Sequence, residues 1–240
     1  MPTVDLLALF AHPDDAELLA GGTLIKAVDQ GYRVAAADLT RGELGSTGTP
    51  EIRAREAASS AEVMGLVARE NLGLPDGHLA STDAMRRVVV EAIRRFRPRT
   101  VITHFKIGRH PDHRITAELV RDACFLSGLV NYPADGEKHR PSKLLHAMSY
   151  REDDIAASFV VDTTEQFERK LAAMRCFESQ WQPSTLKGGE LSPNGESIFD
   201  LVRTLDGQVG SRIRRRYGEP FWTLETVAVS DVVAMGVETL

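Results

Sequence analysis

Cysteine is nearly absent from this 240-residue chain, with Cys124 and Cys176 its only two. A disulfide framework is thereby excluded, and two buried free thiols in a reducing compartment are expected. Basic charge is not in excess either: 29 Lys and Arg against 34 Asp and Glu leave a formal net charge of -5. Such a chain offers no positive field to a polyanion, so nucleic acid is not an expected partner. The arginine clusters at 86–87, 94–95 and 214–216 read as solvated helix faces. Long apolar runs are also missing. None approaches the ~20 residues of a membrane span, and the run Val4 to Ala11 has no basic flank or small-residue cleavage site of a secretory signal. A cytoplasmic protein without a membrane partner is expected. Two common catalytic signatures are missing as well, the G-x-G-x-x-G of a dinucleotide site and the G-x-S-x-G of a nucleophilic serine.

What is present is a regular alternation of strands and helices. Val4 to Ala11 is almost continuously apolar, as a strand covered on both faces reads. A helix follows the turn at His12-Pro13-Asp14 and stops near Gly31. Arg33 to Thr40 reads as a strand, and Thr49-Pro50 as a cap and first turn of a helix running to about Leu66. A strand over Asn71 to Leu74, a helical stripe from Met85 to Phe96 and a strand over Thr100 to Phe105 complete the pattern. Right-handed βαβ units follow, giving an α/β fold with a Rossmann-like, mainly parallel sheet and helices on both faces. One domain over 1–240 is expected, with 1–130 as the core that carries the site and 131–240 supplying loops that cover the substrate. In that second part the pattern predicts strands over 143–150, 158–162 and 223–230, and helices over 164–178 and from Ile198 to about Arg215. The stretch 182–195, rich in Pro, Gly, Ser and Lys, reads as a loop or lid.

In a doubly wound sheet ligands bind beyond the carboxyl ends of the strands, which singles out two segments. Ala11-His12-Pro13-Asp14-Asp15-Ala16-Glu17 follows the first strand, and Arg109-His110-Pro111-Asp112-His113 follows the strand at Thr100 to Phe105. A catalytic zinc takes three ligands from His, Asp or Glu and keeps a position for water. His12 and Asp15, across a strand-to-helix turn, and His113, at the start of a later helix, are the candidate ligands. Asp14 is then placed to take a proton from the attacking water. His110 is a candidate general acid or oxyanion donor, and Asp112 can hold its ring in one tautomer. Singly, each has an ordinary explanation, because an Asp at such a place is more often a helix N-cap. Four acids and three histidines in two short segments at the ligand edge argue for a site. His78, His104, His139 and His146 lack such company and read as structural or surface residues.

The pairing of A-H-P-D-D-A-E with H-P-D-H about a hundred residues on resembles the LmbE-like, or PIG-L, zinc de-N-acetylase superfamily. The resemblance implies His12, Asp15 and His113 as zinc ligands, Asp14 as general base, and His110 as general acid with Asp112 orienting it. Leu39 to Gly45, Gly48 to Arg53, Asn71 to Gly77, Glu178-Ser179-Gln180 with a following aromatic, and Tyr217 to Phe221 look like the bacillithiol-biosynthesis branch, which deacetylates N-acetylglucosaminyl malate. Related mycothiol enzymes carry an oxyanion-binding tyrosine two residues before the first His of H-P-D-H, where this chain has Gly108. By the same resemblance Arg53 would hold sugar hydroxyls, although a solvated place on an amphipathic helix also explains it, and Asp76 sits at a strand end where it could do likewise. Arg109 and Arg41 are candidates for a substrate carboxylate such as malate. Two histidines and one aspartate also suit Fe2+ or Co2+. A small amino-sugar substrate and a homo-oligomer, trimer or hexamer, are further implications. The rival readings are an amidase or deacetylase of another substrate, and a non-catalytic metabolite-binding module.

Overall fold

The structure, a computed structural model, describes residues 3–149, 155–181 and 197–237. Its centre is the expected run of buried strands: β1 (Leu6–Phe10), β2 (Val34–Thr40), β3 (Ala68–Leu74), β4 (Thr100–His104) and β5 (Lys143–Ala147). All five are parallel and lie in the order β3-β2-β1-β4-β5. Successive residues of a strand face opposite sides, and β1 uses both. Leu7 and Leu9 pack with Val89, Ile93, Leu119 and Val120, which belong to α3 (Asp83–Phe96) and α4 (Pro111–Leu126). Ala8 and Phe10 pack on the other side against Leu19 and Leu24 of α1 (Asp15–Asp29), Met64 of α2 (Pro50–Met64) and Ala173 of α5 (Phe167–Arg175).

The chain leaves β1 toward β2 and β3, then crosses back to β4 on the other side of β1. The topological switch point therefore falls between β1 and β4. Leu9 is in register with Thr103, so the loops leaving the two strands open side by side. The two motif segments, almost a hundred residues apart in sequence, are neighbours for this topological reason.

Beyond β5 the sheet changes direction. β7 (Gly218–Trp222) runs antiparallel to β5, and β6 (Phe159–Asp162) pairs antiparallel with β7 at the edge. A strand over 223–230 is thus not formed; the last strand lies earlier. Val227 and Val229 imitate the alternation of a strand, yet both are exposed, whereas Pro220 disguises the true one. Its carbonyl accepts from the Met148 amide, and it pairs with Val160 of β6. The helix expected over 164–178 is α5 followed by one turn, α6 (Glu178–Trp181), and the last helix, α7 (Ile198–Ser211), ends before Arg215. The loop expected at 182–195 lies outside the described residues.

Two expectations about surface and buried residues need correction. Arg94 is buried and donates to the Leu129 and Ser127 carbonyls, tying the chain after α4 to α3. Cys124 and Cys176 are both free, but only Cys124 is fully buried. Among the described residues, no helix is long and apolar enough to cross a membrane.

Candidate active site

The floor of the site is the turn from β1 into α1. Asp14 occupies the N-cap position of α1 but makes no side-chain cap hydrogen bond, and its backbone has φ 117. That left-handed conformation is costly for a residue with a Cβ. The cap explanation fails for Asp14. Its carboxylate turns instead to the guanidinium of Arg53, Nη2 to Oδ2 2.9 Å. Burial raises the Asp14 carboxyl to about 7, against the pull of Arg53 and with the help of Asp15.

Asp15 is buried and its two oxygens serve different loops. Oδ2 accepts from the His12 amide at 2.8 Å and lies 3.1 Å from His12 Nδ1. Oδ1 lies 3.2 Å from His113 Nε2, across on α4. Burial alone would raise the Asp15 carboxyl, but His113 beside it holds it well below the ordinary range. His12 Nε2 meets Asp76 Oδ1 at 3.0 Å and Asp112 Oδ2 at 3.5 Å. Burial works to lower the His12 imidazole, yet hydrogen bonds with Asp112, Asp15 and Asp76 prevail and push it up to about 12.

Pro111 starts α4, and His110 is its N-cap, with Nδ1 accepting from the Asp112 amide at 3.2 Å. It is this backbone N–H that faces the His110 ring. The Asp112 carboxylate points elsewhere, to His12 and to the Gly77 amide, 2.7 Å away. Partial burial, then His113 and His12, lower the His110 imidazole, so it is neutral at neutral pH. Its ring centroid stands 4.8 Å from those of both His12 and His113.

The expected ligands His12 and His113 each approach the Asp15 carboxylate, one at each oxygen, but among the described residues the three do not form one of the converging donor sets. The donor sets that converge within 4.8 Å are His12 with His110 and His113, Asp15 with His104 and His113, and His12 with Asp76 and Asp112. These residues fit a divalent cation. His12 Nδ1 and His113 Nε2 lie 3.1 and 3.2 Å from different oxygens of Asp15, each pair near the ~3.3 Å that separates two donor atoms on one zinc with bonds of roughly 2.0–2.1 Å. Asp15, Asp76 and Asp112 surround His12, whose raised proton affinity is the response to that crowding, and a bound cation would take over the part that proton plays.

The remaining candidates fall into two groups. Arg53 is only 5% exposed, which removes the solvated-helix reading. It donates to the Pro13 carbonyl at 2.5 Å and the Gly42 carbonyl at 3.3 Å, joining the β1 and β2 loops. Asp76 has both oxygens engaged, by His12 and by the Leu44 amide at 2.9 Å, so it braces His12 and the β2 loop. Arg109 is exposed at the mouth of the cavity, near Gly108 and His110. Arg41 is not brought to that cavity; it lines a smaller one behind Pro13. Sequence reasoning missed His104, which is buried at the end of β4 in contact with Asp15. The signal that could have found it was its place, the carboxyl end of a strand at the switch point.

The cavity above this floor has a volume of about 720 Å3, within the range that encloses a small molecule. One wall is the polar set just described. The opposite wall is apolar, with Leu18, Trp181, Ile198, Leu201 and Leu205.

An α/β switch-point cleft floored by His and Asp has the donor chemistry of a hydrolase that activates water. Residues 7–124 match the sequence pattern of the GlcNAc-PI de-N-acetylase family, PIG-L. Diacetylchitobiose deacetylase of Thermococcus kodakarensis is 30% identical over 234 residues, 89% of this chain and 80% of that one. A protein of Bacillus anthracis named probable N-acetyl-alpha-D-glucosaminyl L-malate deacetylase 2 is 24% identical, over 90% of this chain and 93% of its own. A conserved protein of Thermus thermophilus superposes with a TM-score of 0.85 at 35% identity, covering 95% of this chain and 97% of that one. The chain belongs to the PIG-L, or LmbE-like, family. It is a deacetylase, hydrolysing an amide bond.

Proposed function

We propose that this protein removes the acetyl group from an N-acetylglucosamine-containing small molecule, with zinc held by His12, Asp15 and His113. The observation that carries the reading is Asp14: half-buried, relieved of capping and adjacent to the donor cluster at the cavity floor. Zinc in that cluster would polarise the amide carbonyl and acidify water. Asp14, with its proton affinity raised toward neutrality, accepts the proton of the attacking water. Arg53 fixes the carboxylate's direction through its bond to Oδ2. As the C–N bond breaks, the departing nitrogen needs a proton. His110, neutral at rest and open to solvent, takes a proton from solvent water and delivers it to the amine, while the proton held by Asp14 returns to solvent. Gly108 offers no side chain for the oxyanion, so that charge is left to the cation and His110.

N-Acetylglucosaminyl malate is the specific substrate we favour. Its support is the set of branch-like stretches, the similarity to the B. anthracis protein, and Arg109 at the mouth as a cation for the malate carboxylates. Diacetylchitobiose is the second reading, supported by the T. kodakarensis relative and by Trp181, whose flat apolar face suits the CH face of a second sugar ring. Exposed apolar side chains along the C-terminal stretch, Leu224, Val227, Val229, Val232 and Val233, support a homo-oligomer.

Amine release tests these readings. Zinc-loaded protein is offered N-acetylglucosamine, diacetylchitobiose and N-acetylglucosaminyl malate, before and after chelation. Metal-dependent release from at least one is expected. No release from any of the three, with zinc demonstrably bound, overturns the proposal.

A further inference from the structure

His104 is the last residue of β4 and one of the most enclosed polar side chains of the protein, 2% exposed. Its Nε2 accepts a hydrogen bond from the Ala11 amide at 3.0 Å. That amide immediately precedes His12, at the point where the chain leaves β1. The flat of the ring lies against His113, centroids 3.9 Å apart and planes 14° from parallel. Its edge meets Phe10 at 4.8 Å, and the same Nε2 is 3.3 Å from Asp15 Oδ2. The backbone carbonyl of His104 accepts from His146 Nδ1 at 2.7 Å, which ties the end of β4 to β5. One ring thus touches the β1 loop by a hydrogen bond and the first turn of α4 by stacking. Among the described residues, these are the two segments that bring His12, Asp15 and His113 together.

An Nε2 that accepts from an amide has its lone pair occupied. The proton must then sit on Nδ1, and the nitrogen nearest Asp15 has no lone pair left for coordination. Proximity to Asp15 and His113 therefore marks His104 as a support for those residues and not as a further ligand. Outer partners that orient ligands in this way typically contribute about 10–100-fold in metal affinity.

We propose that His104 is a positioning residue that holds the two ligand-bearing loops in register, through the Ala11 amide on one side and the His113 ring on the other. This rests on the metal-dependent reading above. The two are separable, because wild-type protein that bound no metal would remove that reading, whereas a wild type that binds and a variant that binds equally well removes only this one.

Two substitutions divide the ring's contacts. His104→Phe keeps an aromatic face against His113 and loses the acceptor. His104→Gln supplies an acceptor near the position of Nε2 and loses the face. Zinc affinity is measured by chelator competition on purified protein, the melting temperature of the metal-free form is measured alongside, and the Co2+-substituted spectrum reports coordination. Expected are a loss of about 10–100-fold in affinity for His104→Phe, recovery of part of it in His104→Gln, and an unchanged Co2+ band shape in both. Two results would each overturn the proposal: unaltered affinity in both variants despite a lowered melting temperature, or a Co2+ spectrum in either variant showing a lost nitrogen ligand. A His104→Gln no better than His104→Phe overturns it as well, because the Ala11 hydrogen bond would then contribute nothing.

Discussion

Arg53 Nη2 stands 2.9 Å from Asp14 Oδ2 and 2.5 Å from the carbonyl of Pro13, so one guanidinium holds both the side chain and the backbone of the turn at the cavity floor. The pairing aims Asp14 into the cavity without neutralising it as a base. Asp14→Asn preserves the size and the turn but removes the proton acceptor. Zinc content should stay at the wild-type level while kcat falls by ~10²–10⁴, as read by amine release and elemental analysis on the same sample. Unchanged kcat with metal bound would assign the base to another group.

His12, Asp15 and His113 should behave as a set. Alanine at any one of them should weaken zinc binding by more than the roughly 10–100-fold that follows loss of an outer partner, with the circular dichroism spectrum preserved. A variant that purifies with a full equivalent of zinc and turns over normally excludes that residue as a ligand.

Arg109 at the mouth is the test of the malate reading. A charge-assisted contact contributes ~1.5–3 kcal/mol, so Arg109→Ala should lower kcat/KM for N-acetylglucosaminyl malate by roughly 10–100-fold and leave N-acetylglucosamine almost untouched. Equal losses on both would mean that Arg109 orders the loop before His110. Arg41, which lines a different cavity, should show no such selectivity when replaced by alanine.

Lys170 provides a prediction about stability. Its ammonium is fully enclosed, 2.7 Å from Asp206 Oδ2 and 2.8 Å from Glu219 Oε1, and Glu219 also accepts from the Gly22 and Thr23 amides of α1. Removing one member of a buried charge cluster strands the others in a medium that solvates them poorly. Lys170→Met should cost about 3–5 kcal/mol, measured by urea unfolding. A change below about 1 kcal/mol, well under that range, would mean that the carboxylates become protonated or hydrated without strain.

The core, the parallel sheet and the two motif segments were legible in the sequence because each depends on short-range pattern. Continuous apolar runs mark strands covered on both faces, and β1, β2 and β4 match them closely. The acids and histidines after β1 and β4 stood out because the carboxyl ends of such strands form the ligand edge. What tertiary structure alone decided is how those residues are used. Asp14 sits at a cap position without capping, because Arg53, on α2, claims its carboxylate. Asp76 and the Asp112 carboxylate both turn to His12, and no local rule ties together positions so far apart in the chain. The strand β7 carries Pro220, a residue that strands disfavour, and only its antiparallel neighbours mark the segment as a strand. His104 reads as the ordinary end of a buried strand. It becomes part of the site because the switch point sets β4 beside β1, placing its ring between the Ala11 amide and His113. Hydrophobic periodicity is a property of neighbouring residues and survives in one dimension, whereas the direction of a buried charge depends on partners that only the folded chain brings within hydrogen-bonding reach.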